Sequence, residues 1–219
     1  MPEAELKDPT VRVAVIVDLV GSRKYPDRAW VHAAFTTAMD GVNQRVRPDQ
    51  RMAPTLGDEA QARYYSVGAA LRATLLMRLV LPDGLDCRAG VGVGAVTHLG
   101  TGAAGLIQDG PGWWAARDAI NEAKAREVGR DRTLRTWYAR APLAAEYPRS
   151  RHVNALLLVR DEIVTTMQAR SRRLLLGLLD GSSQVELAER EGISPSAVSQ
   201  NLRRSGAYAV AHSQESFDS

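Results

Sequence analysis

The chain has 219 residues, 45% hydrophobic and 24% charged, which is ample apolar material for a sizeable core, and its formal net charge is only +3. One cysteine, Cys87, excludes an internal disulfide; no 18-residue apolar run and no signal peptide is legible, so the expectation is a soluble, cytoplasmic chain with no membrane partner. So mild a positive charge does not by itself mark a nucleic-acid binder, and any such role has to rest on a motif.

In chain order, the first informative stretch is VRVAVIVDLVGSRKYPDR (11–28). Its β-branched run reads as a buried strand, and Asp18 at its end requires a metal ion, an arginine or a set of backbone N–H groups to offset its charge. A helix is expected over 28–46. APTLGDEAQARYYS (53–66) then places Gly57, Asp58 and Glu59 between two strand-like flanks, which is a hairpin with carboxylates at its tip. A second helix is expected over 67–81, and DCRAGVGVGAVTHLG (86–100) reads as a strand with Gly90, Gly92 and Gly94 on one face. Such glycines admit either a closely packed neighbouring element or an approaching phosphate group. DGPGWWAARDAINEAK (109–124) opens with turn residues and becomes a helix over 111–128, with Pro111 in its first turn and Arg117 inside it.

This alternation predicts an α/β (α+β) domain of the ferredoxin-like βαββαβ type over residues 1–145. Asp18 and Asp58 would then stand at adjacent strand ends, where two carboxylates and phosphate oxygens can hold Mg²⁺. Pro142 and Pro148 suggest a boundary, after which only helices are legible: a helical linker and small helical domain over 150–212 and a frayed tail at 213–219.

Three boxes in order, DLVGSRKYPDR, GDEAQ and DGPGWWAAR, resemble the SatD family, whose members carry D-I-V-G-S-R-x-x-x-x-R, G-D-E-F-Q and D-G-P-A-Y-x-A-R; Leu19 and Ala60 are departures. The same region is more distantly similar to the catalytic domain of class III nucleotidyl cyclases. That resemblance implies metal-binding roles for Asp18 and Asp58, a glycine-bearing strand in RAGVGVG, and an arginine at 117 that neutralises phosphate in the transition state, so Arg117 is the catalytic candidate if the chain is an enzyme. The surrounding Gly21, Ser22, Arg23, Gly57 and Glu59 join Arg117 as candidate ligand-binding residues. Trp113 stands where the cyclases carry asparagine, and Pro54 where adenylyl cyclases carry a base-reading lysine. Both departures favour sensing of a nucleotide or other phosphate-bearing ligand over active cyclisation.

The segment RRLLLGLLDGSSQVELAEREGISPSAVSQNLRRSGAYAVAH (172–212) reads as three helices with two tight turns, marked by a Ser183/Glu186 capping box, Gly192 in a turn, and Ser194-Pro195 opening the last helix. Its A-x-x-x-G-I-S-x-x-x-V-x-x-x-L pattern resembles the helix-turn-helix of LuxR-type response regulators and sigma-factor region 4. The resemblance implies a recognition helix offering Ser196, Ser199, Gln200, Asn201, Arg203 and Arg204 to double-stranded DNA. A homodimer is expected with it, VNALLLVRDEIVTTM (153–167) being the dimer element. The composite expectation is a DNA-binding transcriptional regulator with a ligand-sensing domain; the alternative is a Mg-dependent nucleotidyl cyclase or nucleotidyl-transfer enzyme whose terminal helices serve for docking.

Overall fold

The apolar run of the first strand, β1 (Thr10–Leu19), is uninterrupted because this strand is central and covered on both faces. In the computed structural model, which describes residues 10–55, 57–102 and 105–218, β1 pairs antiparallel with β3 (Glu59–Tyr64) on one side and β4 (Cys87–Gly102) on the other. The strand order is β2-β3-β1-β4-β5, with β2 at Gln50–Pro54 and β5 at Gly105–Asp109; β6 (Thr136–Arg140) pairs parallel with β4.

Residue parity on β1 divides the core. Val13, Val15 and Val17 enter the main apolar cluster with α1 (Arg28–Arg45) and α2 (Val67–Val80), whereas Ala14 and Ile16 pack against Trp113, Ala116 and Ile120 of α3 (Pro111–Val128). The glycines of β4 decide how close α3 can come. A Cβ at Gly92 would lie 2.1 Å from the Ala116 backbone nitrogen, and one at Gly90 would lie 2.2 Å from the Ala116 carbonyl oxygen. The space these glycines open is therefore filled by α3 and is not available to a phosphate.

Strands β2 and β6 are each closed by an asparagine from a helix. Asn43 of α1 gives and takes one hydrogen bond at the backbone of Met52, both 2.8 Å. Asn154 does the same for Tyr138 at 2.9 and 2.8 Å. Each side-chain amide thus substitutes for a neighbouring strand on an edge that would otherwise expose its ladder.

The helices after residue 149 are α4 (Ser150–Thr166), α5 (Ala169–Leu179), α6 (Gln184–Glu191), α7 (Pro195–Arg204) and α8 (Ala207–Asp218). The expected capping box at Ser183/Glu186 forms, Gly192 takes φ 65°, and Ser194 caps α7. Four helices, not three, occupy 172–212, because Gly206 at φ 75° ends α7 and lets α8 begin.

The separate helical domain is a correction. Leu174, Leu187, Val198, Leu202 and Val210 belong to the same apolar cluster as Val13 and Leu71, so the helices are part of a single domain with the sheet. The segment expected to fray is helical to Asp218, and its buried Gln214 donates to the Gly68 carbonyl at 3.0 Å. The apolar side of α4, expected to dimerise, places Val153, Leu157 and Val164 inside this core.

Charge as well as apolar contact joins α4 to the sheet. Asp161, with 0% exposure, accepts from the backbone N–H groups of Arg135 and Thr136 at 2.7 and 2.6 Å through one oxygen. Its other oxygen faces Arg160 at 3.2 Å and Arg78 at 3.4 Å. Among the described residues no helix is long and apolar enough to cross a membrane.

Candidate functional site

Antiparallel register places side chains of directly paired residues on the same face of a sheet. Asp18 is paired with Glu59 on β3 and with Arg88 on β4, so these three form one row on the α3 side at the end of β1. The hairpin tip reaches the same place, since Leu19 N–H donates to the Asp58 carbonyl at 3.2 Å. Beyond it the chain reverses at Gly21, φ 64°, into a single 3-10 turn (Ser22–Lys24), whose buried Ser22 hydroxyl donates to the Asp58 carboxylate. Arg23 and Lys24 are exposed on that turn, and Gly57 on the hairpin tip.

Arginine answers the question of what offsets Asp18. Arg88 Nη1 lies 3.1 and 3.2 Å from the two Asp18 oxygens, and its Nε donates to Glu127 of α3 at 3.1 Å. Compensation is incomplete. Burial raises the Asp18 pKa above its ordinary value, Arg88 and Lys124 oppose the rise, and the nearby charges of Asp58 and Glu59 add to it, with a net upward shift.

On the facing helix, Arg117 donates to both oxygens of Glu59, at 2.7 and 2.8 Å. These bonds, with the neighbouring Asp18 charge, raise the Arg117 pKa against a smaller effect of burial. Trp113, at the place of the cyclase asparagine, turns into the core and donates from Nε1 to Gln108 at 3.1 Å. It is therefore occupied by packing.

The structure thus gathers Asp18, Gly21, Ser22, Arg23, Gly57, Asp58, Glu59 and Arg117 at one end of the sheet. Sequence reading missed Arg88, Lys124 and Glu127. Arg88 lies within DCRAGVG, and pairing β1 with β4 at its actual register would have set it opposite Asp18. Among the described residues no group of three or more His, Cys, Asp or Glu is arranged to hold a metal by itself. The neighbouring Asp18 and Asp58 carboxylates instead suit a hard cation that takes its remaining ligands from phosphate and water.

The residues expected to read DNA lie elsewhere. They ride on α7, which packs on α5, α6 and α8 across the sheet from Asp18. Ser196, Gln200, Arg203 and Arg204 are exposed and Ser199 and Asn201 half-buried; Gln200, Asn201 and Arg204 line a crevice against the α4–α5 junction.

Comparison with solved structures gives a bacterial light-regulated adenylyl cyclase at 14% identity and TM-score 0.49, over 62% of this chain and 44% of that one. It also gives the adenylyl cyclase CyaB from P. aeruginosa at 13% identity and TM-score 0.40, over 50% and 72% of the two chains. The guanylyl cyclase Cya2 follows at 15% identity and TM-score 0.42, over 52% and 71%. This chain spans under half the length of the light-regulated cyclase. No curated protein matches the sequence.

The expected DNA-binding regulator is corrected by these results. No appended helix-turn-helix module is evident among the described residues, because one family model takes in the terminal helices together with the sheet and both share one apolar core. That model is the SatD family, matched over residues 12–215, and the chain belongs to it.

Proposed function

We propose that the Asp18/Asp58 end of the sheet binds a magnesium nucleotide and performs nucleotidyl transfer of the cyclase type. The observation that supports this reading most is the convergence of three carboxylates, Asp18, Asp58 and Glu59, with Arg117, Arg88 and Lys124 beside an exposed turn carrying Arg23 and Lys24. Carboxylates hold the cation and the surrounding cations hold phosphate oxygens, so both halves of a metal-phosphate ligand find partners.

In this reading Asp18 and Asp58 hold Mg²⁺, Ser22 fixes the orientation of the Asp58 carboxylate, and Arg88 that of Asp18. When bound, the metal polarises phosphoryl oxygens as a Lewis acid. Arg117 leaves Glu59 to meet the negative charge that develops on the reacting phosphoryl group. Arg23 and Lys24 attract the polyphosphate to the open side.

The test is calorimetric titration of ATP and GTP with and without Mg²⁺, alongside assay for cyclic nucleotide and pyrophosphate. Asp18→Asn should weaken Mg-dependent binding about tenfold or more, by loss of one of two metal ligands. Arg117→Ala should abolish product formation while weakening binding only severalfold. Nucleotide binding that is indifferent to Mg²⁺ and to Asp18→Asn would overturn the reading.

A further inference from the structure

A crevice of about 640 Å³ opens on the far side of the sheet, between the α4–α5 junction and α7. Its volume falls within the range of small-molecule sites, roughly 300–1,000 Å³. Arg170, Arg204, Gln168, Gln200, Asn201 and Ser171 supply its polar lining, and no carboxylate takes part.

Several observations there point to an anion. Helix α5 begins in this crevice with Gln168 at its N-cap, no side chain caps it, and its first turn holds no acid. The first-turn amide groups and the positive end of the helix dipole are thus left for an incoming acceptor. Independently, Ser171 is only 5% exposed and lines the crevice, and its hydroxyl makes no hydrogen bond among the described residues. That hydroxyl is a free donor at the crevice wall for an incoming acceptor. Arg204 is exposed and in no ion pair among the described residues. Arg170 lies 3.6 Å from Glu191, a carboxylate that Arg173 already holds with two bonds of 2.7 Å.

We propose that this crevice is a second binding site, for a small phosphate-bearing compound: the anion sits on the α5 N-terminus between Arg170 and Arg204 and accepts from Ser171. The site is independent of the Asp18/Asp58 end, since the two lie on opposite faces of the sheet.

The test uses inorganic phosphate and pyrophosphate as probes in calorimetric titrations of the full chain without divalent cation, in wild type and in Arg117→Ala, so that any binding at the other site is recognised by its response to Arg117→Ala. Saturable binding is expected, weakened about tenfold or more in Arg204→Glu and severalfold in Ser171→Ala, as for loss of a charge-assisted hydrogen bond. Arg203→Glu is the control, because Arg203 is an exposed neighbour on α7 that does not line the crevice. Its effect should stay within about twofold, as for a screened surface charge. Absence of saturable binding, or equal losses in Arg203→Glu and Arg204→Glu, would overturn the proposal.

Discussion

The arginine–carboxylate clusters at Asp161 and at Asp18 are built from the same groups at similar distances, and they differ chiefly in burial. At Asp161 the cluster is closed: Asp161, Arg78 and Arg160 are 0–3% exposed, and both Asp161 oxygens are filled by backbone and guanidinium donors. At Asp18 it is open: the Asp18, Glu59 and Arg117 side chains are 26, 22 and 46% exposed, and Asp18 remains under-compensated. Complete satisfaction leaves nothing for a ligand to improve, whereas crowded carboxylates beside displaceable cations do. The clusters are also joined. Arg88 bridges Asp18 to Glu127, Arg135 bridges Glu127 to Asp86, and Arg78 bridges Asp86 to Asp161.

The contrast predicts its largest effect at Asp161. Asp161→Ala leaves the buried Arg160 guanidinium without its carboxylate, Arg78 with Asp86 alone, and two backbone N–H groups without an acceptor, which should destabilise the protein by about 3–5 kcal/mol. Urea denaturation followed by circular dichroism measures it. A loss below about 1 kcal/mol, the scale of exposed pairs, would break the distinction between a closed and an open cluster.

The open cluster predicts a smaller effect of opposite sign. The folded-state pKa of Asp18 lies above its ordinary 3.8, which the unfolded chain retains, so between the two values the native state binds more protons. Stability therefore falls as pH rises through that window, and the ionised carboxylate remains a net burden above it. Asp18→Asn removes the burden while Arg88 keeps Glu127. The variant should match wild type near pH 3.5 and exceed its stability at neutral pH by about 1 kcal/mol or less. Thermal melts at the two pH values check this; a variant less stable than wild type at neutral pH would place Asp18 with the structural cluster. Asp86 behaves in the other sense, because Arg78 and Arg135 outweigh the effect of its burial and hold its pKa below 3.8. Its contribution is present at neutral pH and is lost on acidification.

How far the sequence discloses this arrangement depends on the range of the interaction. Local signals were legible: the β1 run, the carboxylate hairpin, Pro111 opening α3, and the Ser183 capping box all stand where their residues indicate. Long-range pairings were not. Arg78 and Asp161 are 83 positions apart and Gln214 and Gly68 are 146 apart, so nothing near either partner announces that the helices share the core of the sheet. Strong caps and turns around α6 and α7 made a small module look self-sufficient, but such signals specify how helices begin and end and not what covers them. Strand β6 escaped for a related reason: TWYAR is short, and among the described residues its only strand pairing is with β4. At the site, the sequence placed Asp18 and Asp58 together but not Arg88, which becomes visible only through register.

The smallest effect on stability belongs to Glu59, and it bears most directly on function. Its two bonds to Arg117 have good geometry, but Arg117 is nearly half exposed, so the pair contributes about 1 kcal/mol or less and is weakened by salt. Glu59→Gln should therefore shift the melting temperature by no more than about 2–4 °C, far less than Asp161→Ala. Its effect on ligand should be the reverse of a simple loss. Phosphate and Glu59 compete for the same guanidinium, and Glu59 adds negative charge beside Asp18, so removing that charge should tighten Mg-nucleotide binding severalfold at low salt and less at high salt. The measurement is titration of wild type and Glu59→Gln at two ionic strengths. Weaker binding in the variant would mean that Glu59 holds Arg117 in its working position and does not compete for it, and the open cluster would then be pre-organised in the same manner as the closed one.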